Sequence, residues 1–355
     1  MTRKGIAHML LATHAALNLG LEAAASALRS LPATIALLLD AGVRPLAIAH
    51  RGFGDNLGED RARPIENTIR AVRAGYGAGA SVVEVDVQLT ADGEVVVYHD
   101  DFLPDVTCLN QVTLAELRER LPHVPTLQAV LQQARTFNDD SGPPSGLLVV
   151  DLKALAPLCD PDDTQEAILV AAVLRVIRRM RMTAQVMLSS SSPALLALAR
   201  DEAPEIARAL AVSGLQFLPG EEIEARLGLP VTPIDKDRDL GLRWAELGAI
   251  SRLPGYTGVE QLLATAAATE ARVVEADLLL LQELGAPLVH AAHARGLKVS
   301  GFTAATPEEW FFLESLGVDA IYTNDVPTGV RHQAPMPAPM TASAPAEPVE
   351  AGAGR

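Results

Sequence analysis

Glu84 and Asp86 stand two residues apart in the apolar run Val82 to Leu89. In an extended strand that spacing points both side chains to one face. Two carboxylates held together repel unless a cation or a proton joins them, and hard oxygen ligands of this kind suit Mg2+ or Ca2+ better than zinc. Asp151 repeats the pattern in Leu147 to Leu152, and Lys153 shares its face, where an ammonium group can neutralise an anionic oxygen. His50 closes the run Leu46 to Ala49, and His99 follows Val95 to Tyr98. Two imidazoles at strand ends beside acidic residues suit a reaction that removes one proton and delivers another, as cleavage of a phosphodiester does.

Each of these residues also has a plainer reading. A lone histidine is more often a hydrogen-bonded structural residue, and alternating acids can line the wet face of an antiparallel strand. The elements around them argue against that plainer reading for the carboxylates. Strand-type runs recur at Leu46 to Ala49, Val82 to Leu89, Leu147 to Leu152, Val186 to Ser189, Ala207 to Val212, Val273 to Ala276, Val299 to Phe302 and Ala320 to Thr323. Helical patterns alternate with them: Glu66 to Ala78, Thr126 to Thr136, Thr164 to Met182, Ser192 to Asp201, Leu280 to Ala294 and Pro307 to Leu316. This alternation implies parallel strands with helical crossovers, and eight such strands close a barrel. A ninth run, Val95 to Tyr98, follows Val82 to Leu89 through Thr90-Ala91-Asp92-Gly93-Glu94, too short for a parallel crossover, so it returns as a hairpin. The expected fold is an α/β (β/α)8 TIM barrel with a β-hairpin after strand 2 and an extra N-terminal helical segment. Inside such a barrel, unpaired carboxylates are costly.

Three regions are expected: an N-terminal helical extension over residues 1–43, the barrel over 44–330, and a Pro/Ala-rich tail over 331–355 that cannot repay its ordering entropy. With Val326-Pro327-Thr328-Gly329 and then the tail after the eighth strand, no C-terminal helix is expected; Ala33 to Asp40 is available to fill the gap, and the apolar N-terminus is expected to pack on the barrel wall or floor. Gly220 to Thr257, with three prolines and the run Asp235-Lys236-Asp237-Arg238-Asp239, reads as a long loop on the substrate face. The formal charge of −15 leaves no basic field for nucleic acid. Cys108 and Cys159 are too few for a disulfide framework and fit a reducing compartment. His8, His14, Asn18 and Glu22 interrupt the apolar N-terminus, which weakens a transmembrane or signal-peptide reading. The expected location is cytoplasmic, with peripheral membrane contact through the N-terminal helices as an option ahead of secretion.

Taken in order, Ile48-Ala49-His50-Arg51-Gly52, Glu66-Asn67-Thr68, Val83-Glu84-Val85-Asp86-Val87, Leu89-Thr90-Ala91-Asp92-Gly93 and Val97-Tyr98-His99-Asp100 resemble the glycerophosphodiester phosphodiesterase family. Looser likeness continues through Val150-Asp151-Leu152-Lys153 to Gly317 to Asn324, so the resemblance spans about Pro45 to Pro327. It implies a barrel with His50 and His99 as acid and base, and with Glu84, Asp86 and Asp151 as ligands to Mg2+ or Ca2+. It also implies Arg51 and Lys153 against phosphate, and Glu66 and Asn67 at the active-site rim or around the metal. By that likeness a glycerophosphodiester is split through a cyclic phosphate to glycerol 3-phosphate and an alcohol.

The chain departs from the family pattern at three places. Asp151 replaces the usual Glu, Asp101 to Thr107 replaces an Arg-Thr-Thr element, and Gly301-Phe302-Thr303-Ala304 replaces Trp-Thr-Val-Asn, leaving Phe302 as the apolar wall. The Asp151/Lys153 pair is also similar to that of sphingomyelinase D enzymes. Two alternatives therefore stand beside the first reading: a phospholipase D-type enzyme acting on lysophospholipids or sphingolipids, and a non-catalytic barrel that binds phosphorylated ligands.

Overall fold

The computed structural model describes residues 35–40, 45–55, 63–137, 145–162, 164–218 and 255–333. Nine strands form one sheet: β1 (Leu46–Ala49), β2 (Val82–Leu89), β3 (Val95–Val97), β4 (Leu147–Leu152), β5 (Val186–Ser190), β6 (Ala207–Val212), β7 (Val273–Asp277), β8 (Lys298–Ala304) and β9 (Ala320–Thr323). Their order is β1-β9-β8-β7-β6-β5-β4-β2-β3, and β1 also pairs with β2, which closes eight parallel strands into a barrel. The ninth, β3, pairs antiparallel with β2 through Val87 and Val97, so it is the return arm of a hairpin.

Strand residues divide by parity. On β2, Val83, Val85 and Val87 join the apolar layer between sheet and helices. Val82, Glu84 and Asp86 occupy the alternate positions, and Val82 packs in the interior cluster with Ile48, Leu147, Val149, Met187, Ala209, Val273 and Tyr322. All eight residues of β2 are buried, as expected for a parallel strand covered on both faces.

The covering helices are α2 (Ile69–Gly77), α3 (Leu114–Arg120), α4 (Leu127–Arg135), α5 (Gln165–Met180), α6 (Pro193–Glu202), α7 (Val259–Ala268), α8 (Leu278–His293), α9 (Pro307–Ser315) and α10 (Val326–His332). Side-chain caps start several of them: Thr68 for α2, Thr113 for α3, Thr126 for α4, Ser192 for α6 and Thr306 for α9. The N-terminal helix α1 (Ile35–Asp40) inserts Ile35, Leu38 and Leu39 into the cluster at the strands' N-terminal ends. Lys298 Nζ donates to Leu39 O at 3.2 Å, which helps tie α1 to the barrel floor.

Two expectations need correction. The eighth parallel strand is followed by a helix, α10, which packs on β1 and β9, so no wall gap is left for α1; of the two expected placements, wall or floor, α1 takes the floor. Pro327 is compatible with this helix because it sits in the first turn, and Asp325 caps it. Gly329 lets α10 approach closely, since a Cβ there would lie 2.8 Å from the Trp310 ring and 3.2 Å from the Ala47 Cβ. The cysteines, expected to fit a reducing compartment, are joined in a disulfide with Cα atoms 5.6 Å apart.

Among the described residues, no helix is long and apolar enough to cross a membrane. Most of the N-terminal extension, the C-terminal tail and residues 219–254 of the expected long loop lie outside the described residues.

Candidate active site

Glu84, Asp86 and Asp151 each place a carboxylate oxygen within 4.8 Å of the others. The pairing of β2 with β4 puts Asp86 directly beside Asp151 and Glu84 beside Val149. Burial, with Asp86 and Asp151 close by, pushes the Glu84 carboxyl well above its ordinary range. Burial also raises Asp151, with Lys153 opposing and Asp86 adding to the rise. For Asp86 burial acts in the same sense, but Lys153, His99, Arg51 and the Asn67 amide outweigh it and hold that carboxyl well below the usual range. One Asp151 oxygen, Oδ1, is buried with no hydrogen-bond partner. Two carboxyls that resist ionising and an orphaned buried oxygen fit a site whose acids are meant to share a cation.

The surrounding cations are tied into the cluster. Lys153 Nζ lies 2.9 Å from Asp86 Oδ1 and 3.0 Å from Asp151 Oδ2. Although burial disfavours its charge, these two carboxylates raise its pKa. Arg51 donates its main-chain N–H to Glu84 Oε2 at 2.8 Å and its guanidinium to Glu66 Oε1 at 2.7 Å. A sharp turn makes this reach geometrically available: Arg51 and Gly52 have φ of 51° and 80°. Asn67 is a buried partner of Asp86, its Nδ2 donating to Asp86 Oδ2 at 2.7 Å and its Oδ1 accepting the Asp86 N–H at 3.2 Å. Glu66 is half-buried behind Arg51.

The two histidine rings have different partners. His50 Nδ1 lies 2.8 Å from Asn324 Oδ1, and because that oxygen only accepts, the proton sits on Nδ1 and Nε2 keeps its lone pair. Burial and the Arg51 charge lower the His50 pKa to about 3, against the raising effect of Asn324 and Asp86. His99 Nδ1 lies 2.7 Å from Asp100 Oδ1, again fixing the proton on Nδ1. His50 feels the charges of both Asp86 and His99, and Asp86 in turn feels that of His99. Phe302, near the mouth end of β8, is half-buried, with its ring edge-on to Tyr322 at 6.4 Å.

The structure thus brings together His50, Arg51, Glu66, Asn67, Glu84, Asp86, His99, Asp151 and Lys153, with Phe302 against the barrel interior. Asn324 and Asp100 lie in segments that carry the family resemblance, but the sequence assigns neither a role. Asn324 follows the end of β9 as His50 follows the end of β1, a position that could have drawn attention to it. Sequence reasoning missed a buried trio across the barrel, in which Ser189 and Tyr322 both donate to the Glu275 carboxyl. Burial pushes Glu275 up to about 7 despite those two hydrogen bonds.

Comparison with known proteins agrees with this architecture. The model of the glycerophosphoryl diester phosphodiesterase family matches residues 50–217 and 243–328. A Silicibacter pomeroyi protein assigned as a glycerophosphoryl diester phosphodiesterase superposes with a TM-score of 0.60 at 24% identity, over 81% of this chain and 93% of that one. An Oleispira antarctica phosphodiesterase, solved with its product sn-glycerol-3-phosphate, does so with a TM-score of 0.56 at 20% identity, over 82% and 97%. At these identities the likeness establishes the fold. Among curated relatives, the glycerophosphodiester phosphodiesterase of Caldanaerobacter subterraneus is 37% identical over 81 residues, 22% of this chain and 30% of the relative. The glycerophosphocholine phosphodiesterase of Candida albicans is 50% identical over 54 residues, 15% of this chain and 5% of the relative. The matched segments thus span under a third of those relatives' lengths. With the family model covering most of the chain, and with the same barrel in the solved structures, this protein belongs to the glycerophosphoryl diester phosphodiesterase family.

Proposed function

We propose that this protein hydrolyses glycerophosphodiesters to glycerol 3-phosphate and an alcohol, with a divalent cation bound by Glu84, Asp86 and Asp151. The observation that carries the reading is the pair of oriented imidazoles, His50 and His99, beside three clustered carboxylates. When bound, the cation supplies positive charge that offsets the phosphate and polarises its oxygens. Mg2+ and Ca2+ are the favoured ions, because every candidate ligand is a carboxylate oxygen.

In the first half-reaction His50, neutral with Nε2 free, accepts the proton of a substrate glycerol hydroxyl as that oxygen attacks phosphorus. His99, entering as the imidazolium with Nδ1–H held by Asp100 and a second proton on Nε2, donates that second proton to the departing alcohol oxygen as the bond to phosphorus breaks, leaving a cyclic phosphate and a neutral ring. Water then opens the ring with the two roles exchanged, and glycerol 3-phosphate leaves. Arg51 and Lys153 offer positive charge to the phosphate oxygens, and Phe302 lines the wall beside the substrate. The protein needs no nucleophile of its own.

The Cys108–Cys159 bridge favours an oxidising compartment over the cytoplasmic location expected from the sequence, because reducing cytosol keeps thiols apart.

The test is product identification on a substrate panel, glycerophosphocholine first, with Mg2+ or Ca2+ titrated in. Release of glycerol 3-phosphate, its loss in EDTA, and a fall of about 10²- to 10⁴-fold in kcat for His50→Ala are expected. No turnover of any glycerophosphodiester with either metal would refute the proposal. Choline release from lysophosphatidylcholine micelles alone would transfer it to the phospholipase D reading.

A further inference from the structure

Gln88 lies on β2 two positions beyond Asp86 and is 1% exposed. Its amide nitrogen lies 3.1, 3.0 and 2.8 Å from the carbonyl oxygens of Tyr98, His99 and Asp100. One side chain therefore directs its donor at three consecutive main-chain acceptors in the segment that carries His99. The arrangement has a cost, because Gln88 Oε1 is buried with no hydrogen-bond partner. An apolar residue would fill this site without that cost but could not hold the segment.

The chain just beyond His99 is held from a second side. Asp101 Oδ2 accepts the Ala156 N–H at 2.8 Å, and Asp101 O accepts the Leu109 N–H at 2.9 Å. Asn110 Nδ2 donates to Cys159 O at 2.8 Å, and the Cys108–Cys159 disulfide closes the same seam covalently. The Leu109 bond braces the arm internally, and the contacts of Asp101 with Ala156, of Asn110 with Cys159 and the disulfide join it to the segment following Lys153. The ring of His99 is anchored at Nδ1 by Asp100, which belongs to the same arm, so ring and anchor travel together with the main chain.

We infer that Gln88 and the Cys108–Cys159 bridge are positioning groups that set the place of the His99 imidazole relative to the acidic triad. The inference rests on the phosphodiesterase reading, with His99 as proton donor, and neither group touches substrate. Misplacing a reacting group by about 1 Å can cost about 100-fold in rate. The metal ligands lie on β2 and β4, outside the arm, so substrate and metal affinity need not change with it.

Three perturbations test the clamp on the full chain: Gln88→Met, which keeps length but removes the donor; the double variant Cys108→Ser/Cys159→Ser; and reduction of the wild type by a dithiol. In the last, the dithiol gives two electrons and two protons to the bridge and itself closes to a disulfide, leaving two protein thiols. Each perturbation is expected to lower kcat by roughly 10- to 100-fold while KM and the Mg2+ dissociation constant stay within about twofold. Reoxidation should restore the reduced wild type. In 15N-histidine-labelled protein, the His99 ring signals, assigned with His99→Gln, should shift or broaden while those of His50 hold.

Folded variants, checked by circular dichroism, that keep kcat within about twofold and leave the His99 signals unmoved would overturn the inference. So would parallel changes in KM, metal affinity and both histidines, which would mean general loosening. A wild type that cleaves nothing defeats the phosphodiesterase reading instead, and the His99 signals then decide the clamp by themselves.

Discussion

Asn324 and Asp100 show how a neighbour defines a histidine, since each engages Nδ1 and so leaves Nε2 as the nitrogen available for proton transfer. Glu275 shows the opposite case, a carboxyl whose neighbours do not free it from the cost of burial. Its pKa near 7 lies above the value of about 4.5 that the unfolded chain restores, so unfolding releases its proton between those pH values. The stability this group contributes is therefore fully present below about pH 4.5 and is lost as pH rises through 7. Glu275→Gln removes the ionisable group while keeping a partner for Ser189 and Tyr322. The variant should match the wild type at pH 4 and exceed it at pH 8, by up to about 3 kcal/mol at 1.4 kcal/mol per pKa unit. Urea titrations at the two pH values check this, and equal differences at both would contradict it. Little of this was legible in the sequence. Glu84, Asp86, Asp151 and Lys153 were found because strand alternation assigns a face, but a partnership such as Ser189–Glu275–Tyr322 crosses three strands distant in sequence, and parity alone does not say which side chains meet.

At the scale of the element, Gly52 shows why the turn after β1 is built as it is. Its φ of 80° is in the left-handed region, and a Cβ there would lie 2.5 Å from the Ala71 carbonyl carbon in α2. Gly52→Ala should cost roughly 2–4 kcal/mol, combining backbone strain with overpacking, and should reduce activity by displacing Arg51. A loss below about 0.5 kcal/mol in denaturant titration would mean that the turn can relax. The strands were readable from sequence because buried parallel strands are short apolar runs. Three helices were not singled out. For α3 the signal was present in the Thr113/Glu116 capping box. For α10, Val326-Pro327-Thr328-Gly329 ahead of the tail left no helix expected, whereas Pro327 is admissible in a first turn and Gly329 permits contact with Trp310. For α7, a Leu/Ala-rich stretch, the pattern is helical, but Gly258 at its start offers no side-chain cap to mark where the irregular segment ends.

For the whole molecule, eight parallel strands and a hairpin were legible because connection length decides strand direction. The disulfide was not, since 51 residues of separation say nothing about distance through space. Closing a loop of that length restricts the unfolded chain by about 4 kcal/mol in the chain-entropy model. Reduction should therefore lower the urea midpoint and raise the unfolding slope as the unfolded chain expands, and an unchanged midpoint would show that the bridge stores no stability.

The bridge also changes the topology of the covalent chain. Residues 108–159 become a closed ring with two tails. The ring carries Asp151 and Lys153, whereas His50, Glu84, Asp86 and His99 all lie on the N-terminal tail. A single proteolytic cut within the ring would leave one covalent molecule with every active-site group attached, running as two fragments only on a reducing gel. The oxidised protein can thus be nicked there without its candidate ligands parting company.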